Sequence, residues 1–258
     1  TAVGNISLRS NTTGHSNAAV GVNALYTNTI GAENSAFGLE TLYSNTTGAS
    51  NVAFGRKALR GNTTGDNNVG IGNFSLYANT TADNNTAVGF QALTANTTGA
   101  NNTSVGYQSL RDCVTGGQNA AFGYYALINN TASDNCAFGN QAMQENTTGA
   151  NNTAVGSGAL YAHTTGNSNT ALGHNAAQDT TTGYNITAIG RESLANNTTG
   201  YDNVAVGKGT LITNTTGTRN TALGTAALAA NTTASNNVAV GYAALLANTT
   251  GQKNVAVG

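Results

Sequence analysis

Residues 85–106 read NTAVGFQALTANTTGANNTSVG, and this stretch decides the fold because it contains one full copy of a repeat and begins the next. The glycine that closes each Ala-Val-Gly or similar triplet serves as a marker. The markers are Gly4, Gly21, Gly38, Gly55, Gly72, Gly89, Gly106, Gly123, Gly139, Gly156, Gly173, Gly190, Gly207, Gly224, Gly241 and Gly258. Fourteen of the fifteen intervals are 17 residues long and one is 16. A fixed period over the whole chain is typical of a solenoid.

The repeat unit reads G-x-x-A-L-x-x-N-T-T-G-x-x-N-T-A-V, and it excludes helical repeats. Each glycine costs about 1 kcal/mol in a helix interior relative to alanine. The remaining possibility is a coil of short strands joined by glycine turns, with each coil stacked about 4.8 Å from the next. The sequence therefore predicts an all-β fold, a parallel β-solenoid (β-roll) of about fifteen 17-residue coils, in a single repeat domain at 1–258.

The one short interval, between Gly123 and Gly139, indicates where the coil turns. The missing residue lies near Asn130, Thr131 and Ala132, within the Asn-Thr-Thr-Gly part of the unit. A deletion is most easily absorbed in a surface turn. We therefore expect Asn-Thr-Thr-Gly to form an outer corner.

Each coil contains two apolar pairs, exemplified by Ala87-Val88 before a marker and Ala92-Leu93 after it. Adjacent residues on a strand face opposite sides. If both members of a pair are buried, one apolar row fills the coil and the other packs against another chain, which predicts a trimeric bundle. The alternative is that one of the two strands ends at a turn and leaves one member half exposed.

Asparagine recurs at two positions of the unit, just before the strand and at the corner. Stacked copies would form amide ladders, in which each side chain bonds to the one above. Ile186 interrupts the first row. Its members are Asn17, Asn34, Asn51, Asn68, Asn85, Asn102, Asn119, Asn152, Asn169, Asn203, Asn220, Asn237 and Asn254, and the corner row includes Asn45, Asn96 and Asn248.

Charge limits the partners of this chain. Charged residues make up 7% of the sequence and the net charge is -1. Phosphate binding needs a basic surface, so we expect no nucleic-acid partner. There is also no run of about 20 apolar residues, so we expect no membrane insertion of this segment. Both ends lack a distinct capping repeat, so we expect a fragment of a longer fibre or a head-to-tail polymer.

Catalytic groups do not converge in the repeat, so we predict that the protein is not an enzyme and holds no cofactor or metal. The histidines His15, His163 and His174 lie at three different repeat positions and are expected to be surface polar residues.

The cysteines Cys113 and Cys136 are also out of phase with each other, and we expect no disulfide between them. A group of carboxylates near one corner is interpreted as a solvated edge; it consists of Asp66, Asp83, Asp134 and Asp202.

Two sets of residues are candidate contacts with sugars. Exposed tyrosines can stack on sugar rings, although they can equally cover apolar edges of the coil. Asn-x-Thr sequons accept glycans in a secretory context. The candidate glycan-contact tyrosines are Tyr26, Tyr43, Tyr77 and Tyr161, and the candidate glycosylation sites are Asn45, Asn62, Asn79, Asn96, Asn146, Asn197, Asn214, Asn231 and Asn248.

The motif NTAVGFQAL at residues 85–93 resembles two related groups of proteins. One is the head domain of trimeric autotransporter adhesins, built from N-x-A-V/I-G-x-x-A repeats. The other is the repetitive shaft of bacteriophage tail-fibre proteins, and the additional Asn-Thr-Thr corner is closer to this group because adhesin heads usually have shorter repeats. The resemblance covers the whole chain and implies a parallel β-roll trimer on a cell or virion surface that attaches to something.

The function expected from these features is that of a structural fibre segment in an extracellular or virion surface appendage, such as a tail fibre. It would act in attachment or adhesion as a rigid rod with a displayed polar surface. Its partners would be itself, as a parallel homotrimer or head-to-tail polymer, and cell-surface glycans. One alternative is a self-assembling extracellular filament without receptor specificity. Another is an ice-binding solenoid, disfavoured because adjacent threonines should point to opposite faces of a strand.

Overall fold

The computed structural model describes residues 1–258 and divides them into two compact units, Thr1–Ser133 and Asp134–Gly258. Both units consist of short strands, turns and bends, with no helix. The strands of the first unit are β1 (Ala2–Val3), β2 (Ala18–Val20), β3 (Ser35–Phe37), β4 (Val52–Phe54), β5 (Val69–Ile71), β6 (Thr86–Val88), β7 (Thr103–Val105) and β8 (Ala120–Phe122). Those of the second unit are β9 (Cys136–Phe138), β10 (Thr153–Val155), β11 (Thr170–Leu172), β12 (Thr187–Ile189), β13 (Val204–Val206), β14 (Thr221–Leu223), β15 (Val238–Val240) and β16 (Val255–Val257).

Successive strands within each unit pair in parallel, with equivalent residues of the repeat opposite one another. Ala87 of β6 faces Ser104 of β7, and Val88 faces Val105. In the second unit, Ala154 of β10 faces Ala171 of β11. The expected all-β, parallel β-solenoid of about fifteen coils is thereby confirmed. The single domain expected over 1–258 stays a prediction.

The marker glycine ends each strand in a conformation that other residues avoid. Gly89 has a φ of +138°, and a Cβ at this position would lie 2.3 Å from the carbonyl oxygen of Gly106 in the next coil. A side chain would therefore collide with backbone as well as strain φ. This close approach explains why glycine recurs at the marker position.

The segment after the marker is a turn, which corrects the expectation that the second apolar pair lies on a strand. Gln91 and Leu93 have φ values of +53° and +52°, in the left-handed region. Both Ala92 and Leu93 are fully buried. A left-handed residue breaks the alternation of faces that a strand imposes, so both members of this pair point into the coil.

The two residues of the first apolar pair point to opposite sides of the strand, as expected. Ala87 is fully buried, whereas Val88 is half-buried on the outside of the coil. Alanine at this position and leucine after the marker therefore fill the interior of each coil, and the residue just before the marker points away from it.

The Asn-Thr-Thr-Gly segment forms the outer corner, as predicted. Asn96 and Gly99 point inward and are buried, Thr97 is half-buried and Thr98 is exposed. The Thr97 hydroxyl donates a hydrogen bond to the carbonyl oxygen of Val114, at 3.1 Å. Because the segment is a bend rather than a strand, the alternation of faces expected for adjacent strand residues does not apply to Thr97 and Thr98.

The short coil lacks the second threonine of this corner. The Asn130 amide bonds to the carbonyl oxygen of Ala132, two residues later, at 2.8 Å. In a full coil, Asn96 makes the same bond to Gly99, three residues later, at 3.0 Å. The prediction that the deletion is absorbed at the corner is therefore confirmed.

The chain contains no apolar helix of the length needed to span a membrane.

Candidate functional site

The outer strand face is the side of the strands that points away from the coil interior. It is formed by the first and last residues of each three-residue strand, such as Thr86 and Val88 in β6. No strand of either unit contains a charged residue. The last position is occupied by Val, Phe, Ile or Leu in every strand. The last positions therefore form a continuous apolar column within each unit, beside first positions that are often threonine, as in Thr86.

Large side chains on the outer strand face are accessible to solvent. Phe54 is 41% exposed, Ile71 is 40% exposed and Leu172 is 48% exposed. The rings of Phe37 and Phe54 stack 4.5 Å apart along the column. Contiguous apolar surface of this kind marks interaction sites in soluble proteins.

The two predicted asparagine rows form ladders inside the coils. In the corner row, the Asn45 amide nitrogen donates to Oδ1 of Asn28 at 2.7 Å. In the row before the strand, Asn34 Nδ2 donates to Oδ1 of Asn17 at 3.2 Å, and that oxygen also accepts the backbone N–H of Asn34 at 2.9 Å. Buried amides need such partners, so the ladders stabilise the stack of coils as well as satisfying their own polar groups.

The sequon asparagines are members of the corner ladder. Asn62 is fully buried, and its Nδ2 donates to Oδ1 of Asn45 and to the carbonyl oxygen of Gly65. A glycan attaches at this nitrogen, which has both protons engaged and no access to solvent. All candidate glycosylation sites are buried except Asn248, which is half-buried. The geometry therefore argues against glycosylation of the folded chain.

Three residues of other types occupy corner-ladder positions: Cys113, His163 and Thr180. Cys113 is a buried free thiol, and burial raises its pKa to about 11. Oδ1 of Asn96, in the coil before it, has no hydrogen-bond donor, because cysteine supplies no amide there. Cys136 is also a free thiol and begins β9 on the outer strand face.

The second of these residues is His163, and the expectation that it lies on the surface is wrong. Its ring is fully buried, with Nδ1 2.9 Å from Oδ1 of Asn146 and Nε2 3.0 Å from Nδ2 of Asn169. A neutral ring protonated on Nδ1 donates to the first and accepts from the second. Burial lowers the pKa of His163 to about 4, so the ring is uncharged at neutral pH. His15 and His174 are exposed, as expected.

Ile186 replaces asparagine in the row before the strand. Its backbone N–H still donates to Oδ1 of Asn169, at 3.0 Å. Ile186 therefore keeps the backbone hydrogen bond of the ladder, but its side chain provides no acceptor for the next coil.

Three of the candidate glycan-contact tyrosines lie in one column with two arginines. This Arg–Tyr column consists of Arg9, Tyr26, Tyr43, Arg60 and Tyr77, each five residues after a marker glycine. The rings of Tyr26 and Tyr43 are parallel, 5.0 Å apart. The Arg60 guanidinium lies 5.0 Å from the Tyr43 ring and 5.9 Å from that of Tyr77. Arg9 lies over Tyr26 and donates a hydrogen bond to its hydroxyl group.

This arrangement covers the ring faces that a sugar would need. Tyr26 lies between Arg9 and Tyr43, and Tyr43 lies between Tyr26 and Arg60. The contacts are cation–π and stacking interactions along the column, which support the reading of these tyrosines as cover for the coil. The arginines were missed in the sequence, although their shared position in the repeat was visible there.

Tyr161 belongs to the second unit and is not part of the Arg–Tyr column. It is half-buried, and its hydroxyl is 3.4 Å from Nε2 of Gln144 in the coil before it.

The carboxylates near the corner differ in role. Asp66 and Asp83 each accept a hydrogen bond at 2.7 Å from the backbone N–H of the equivalent residue one coil earlier, which is Ala49 for Asp66. They therefore link coils as well as lying at the edge. Asp202 lies 3.8 Å from Nε of Arg219.

Neither unit has a pocket or a group of three His, Cys, Asp or Glu residues that could hold a metal ion. The chain matches no model of a known protein family and no curated protein.

Proposed function

We propose that this chain is a structural fibre segment that associates with copies of itself through the outer strand face. It would serve in attachment as part of an extracellular or virion surface appendage. The observation that carries the proposal is the apolar column on this face, which contains no charged residue in any strand of either unit.

Packing considerations support self-association. The interior of each coil is thin, since its apolar content is largely alanine and one leucine, as in Ala87, Ala92 and Leu93. Burial of apolar area contributes about 25 cal/mol per Å², so additional burial of Val, Phe and Ile side chains between copies would add substantially to stability. A parallel homotrimer is the assembly proposed from the sequence, because cyclic packing buries the same face of each copy.

Sedimentation velocity of residues 1–258 tests the assembly. We expect an oligomer, and we expect Phe54→Asp to reduce it to monomer with unchanged β-sheet circular dichroism, because Phe54 points outward. Thr64→Asp, at an exposed corner, is the matched control and should leave the oligomer intact. A wild-type chain that sediments as a folded monomer would contradict the proposal.

Attachment requires a separate test. Cell-surface glycans are the proposed partners, and since the faces of Tyr26 and Tyr43 are covered, contact would use the hydroxyl groups and ring edges. Binding of the assembled chain to a glycan array is the measurement, with Tyr43→Phe as the variant that keeps the stack and removes one hydroxyl. An intact assembly without glycan binding would instead favour a filament lacking receptor specificity.

Ice binding is not supported by the corner threonines. The Thr97 hydroxyl is engaged by a backbone carbonyl of the next coil, and the equivalent Thr63 and Thr80 make the same bond.

A further inference from the structure

Tyr184 and Tyr201 occupy the same repeat position in successive coils of the second unit, six residues before their marker glycines. In every other coil this position is held by a small or polar residue, which is His, Ala, Asp, Gly, Ser, Asn, Thr or Gln. The two tyrosines are therefore an isolated aromatic pair, bounded along the stack by Asn167 and Thr218. The repeat itself does not require tyrosine at either place.

The two rings lie face to face. Their centroids are 4.7 Å apart and their planes differ by 5°. Because the two residues are related by one step of the repeat, equivalent carbons of the rings are separated by about the same distance. Tyr184 is 42% exposed and Tyr201 is half-buried, so a reagent in solution reaches the pair.

The backbone holds the two coils together beside the rings. The N–H of Asp202 donates to the carbonyl oxygen of Tyr184 at 3.1 Å, and the N–H of Arg219 makes the equivalent bond to Tyr201. Nδ2 of Asn185 also donates to Oδ1 of Asp202 at 3.0 Å. Groups held close by a scaffold react with each other at effective concentrations that reach about 10⁵ M or more when well oriented. A reaction between the two rings is therefore favoured over a reaction with another molecule.

Charge distinguishes this pair from the parallel tyrosines of the Arg–Tyr column. In that column, Arg9 lies over the ring of Tyr26 and Arg60 lies over the ring of Tyr43. A guanidinium above a ring opposes the removal of an electron from it, because positive charge would then develop beside positive charge. No arginine or lysine lies over the ring of Tyr184.

The cation near Tyr201 is accompanied by a carboxylate. The Arg219 guanidinium lies 5.7 Å from the centroid of the Tyr201 ring, and Nε of Arg219 is 3.8 Å from Oδ2 of Asp202. The carboxylate therefore offsets part of the charge. One-electron oxidation of the pair is expected to begin at Tyr184, the more exposed ring, with Tyr201 as its immediate neighbour.

We propose that Tyr184 and Tyr201 are an oxidative cross-linking site, at which hydrogen peroxide and a peroxidase join the two rings through a carbon–carbon bond. Each phenol gives up one electron and its hydroxyl proton and becomes a phenoxyl radical. The radicals couple between ring carbons adjacent to the C–O carbons. Each coupled carbon then loses its hydrogen as a proton while the oxygen of its ring gains one, which restores both phenols. Hydrogen peroxide takes up the two electrons and two protons and becomes two molecules of water.

The link joins one coil covalently to the next. It spans 17 positions of the sequence, and cross-links of this kind stabilise a fold mainly by restricting the unfolded chain. Both tyrosines belong to the second unit of a single chain, so the inference does not depend on the proposed self-association.

Peptide mapping after treatment of the folded chain with hydrogen peroxide and a haem peroxidase identifies the link. Trypsin cleaves after arginine and lysine, so cleavage after Arg191 places Tyr184 in the peptide 112–191 and Tyr201 in the peptide 192–208. The chain that remains a monomer on a denaturing gel should yield these two peptides joined. The mass of the joined pair should equal the sum of the two peptides less two hydrogen atoms.

Phenylalanine variants test the assignment. Tyr184→Phe keeps a ring in the stack but removes the phenol, and it should reduce the joined pair at least about tenfold. Tyr161→Phe is the matched control, because glutamine occupies the position of Tyr161 in both adjoining coils, and it should leave the yield unchanged. Tyr242 is 80% exposed but has Thr225 at its position in the coil before, so it should enter no link within the chain.

Oxidation of the unfolded chain completes the test. Denaturing urea separates the two rings and should lower the yield of the joined pair about tenfold, since the effective concentration depends on the fold. Circular dichroism verifies that each variant is folded before treatment. A folded monomer that yields no joined pair would refute the site, as would an equal yield from Tyr184→Phe or from the chain in urea.

Discussion

The side-chain amide of Asn62 lies 2.8 Å from Oδ1 of Asn45, the residue at the same position one coil earlier. The Oδ1 of Asn62 in turn accepts from the amide of Asn79, at 2.8 Å. Asn62 therefore joins three coils, and it also bonds to the carbonyl of its own corner, Gly65.

Asn62→Ala should destabilise the chain by about 2–4 kcal/mol, because it leaves buried donors and acceptors unpaired on both sides. Chemical denaturation followed by circular dichroism is the measurement. Thr64→Ala, two residues away and exposed, should change the free energy of unfolding by less than about 0.5 kcal/mol. Equal effects of the two substitutions would show that the ladder contributes nothing specific.

Cys113→Asn should stabilise the protein by about 1–2 kcal/mol, because an amide there supplies the donor that Oδ1 of Asn96 lacks. The asparagine would also keep the bond to the Gly116 carbonyl, which the Cys113 thiol now makes at 3.4 Å. Cys113→Ala removes the thiol without supplying an amide and should not stabilise. A melting temperature of Cys113→Asn at or below that of Cys113→Ala would contradict the assignment of this ladder.

His163 should make stability depend on pH between about 4 and 6.5. Its pKa is lowered from 6.5 to about 4 by burial, so the unfolded chain binds a proton in this range and the folded chain does not. Stability is therefore complete above pH 6.5 and falls as the pH is lowered toward 4, by about 3 kcal/mol.

The comparison for this prediction is His163→Asn, which restores the ladder residue. Denaturation curves at pH 7 and pH 4.5 should diverge for the wild-type chain and less so for the variant, since all carboxylates are common to both. Identical pH dependence in the two proteins would mean that His163 is not buried in its neutral form.

Charges on adjacent residues of β6 should have different effects. Ala87→Asp puts a carboxylate inside the coil and should prevent folding of that region, at a cost of about 3 kcal/mol or more. Val88→Asp points outward and should leave the fold intact while abolishing self-association. Thr98→Asp, at the exposed corner, should alter neither. Thermal melting and sedimentation distinguish the three, and a Val88→Asp variant that unfolds as a monomer would reverse our assignment of inside and outside.

The sequence by itself determined the coil and its period. For most positions of the repeat it also determined whether the side chain points into the coil or away from it. The marker glycines, the Ala87 position and the Asn-Thr-Thr-Gly corner all follow from a repeat of 17 residues, because stacking equivalent residues repeats each environment. The amide ladders were predictable for the same reason, as was the corner location of the deletion near Asn130.

The tertiary structure decided what depends on local backbone conformation and on neighbours one coil away. Leu93 is buried beside Ala92 because it adopts a left-handed φ of +52°, which no property of leucine predicts. His163 is buried because its corner position points into the coil, where its ring contacts Asn146 and Asn169. The ring faces of Tyr43 are covered because its coil lies between those of Tyr26 and Arg60. The order of residues in the sequence specifies which residues repeat, but only the stacked backbone sets which atoms come within bonding distance.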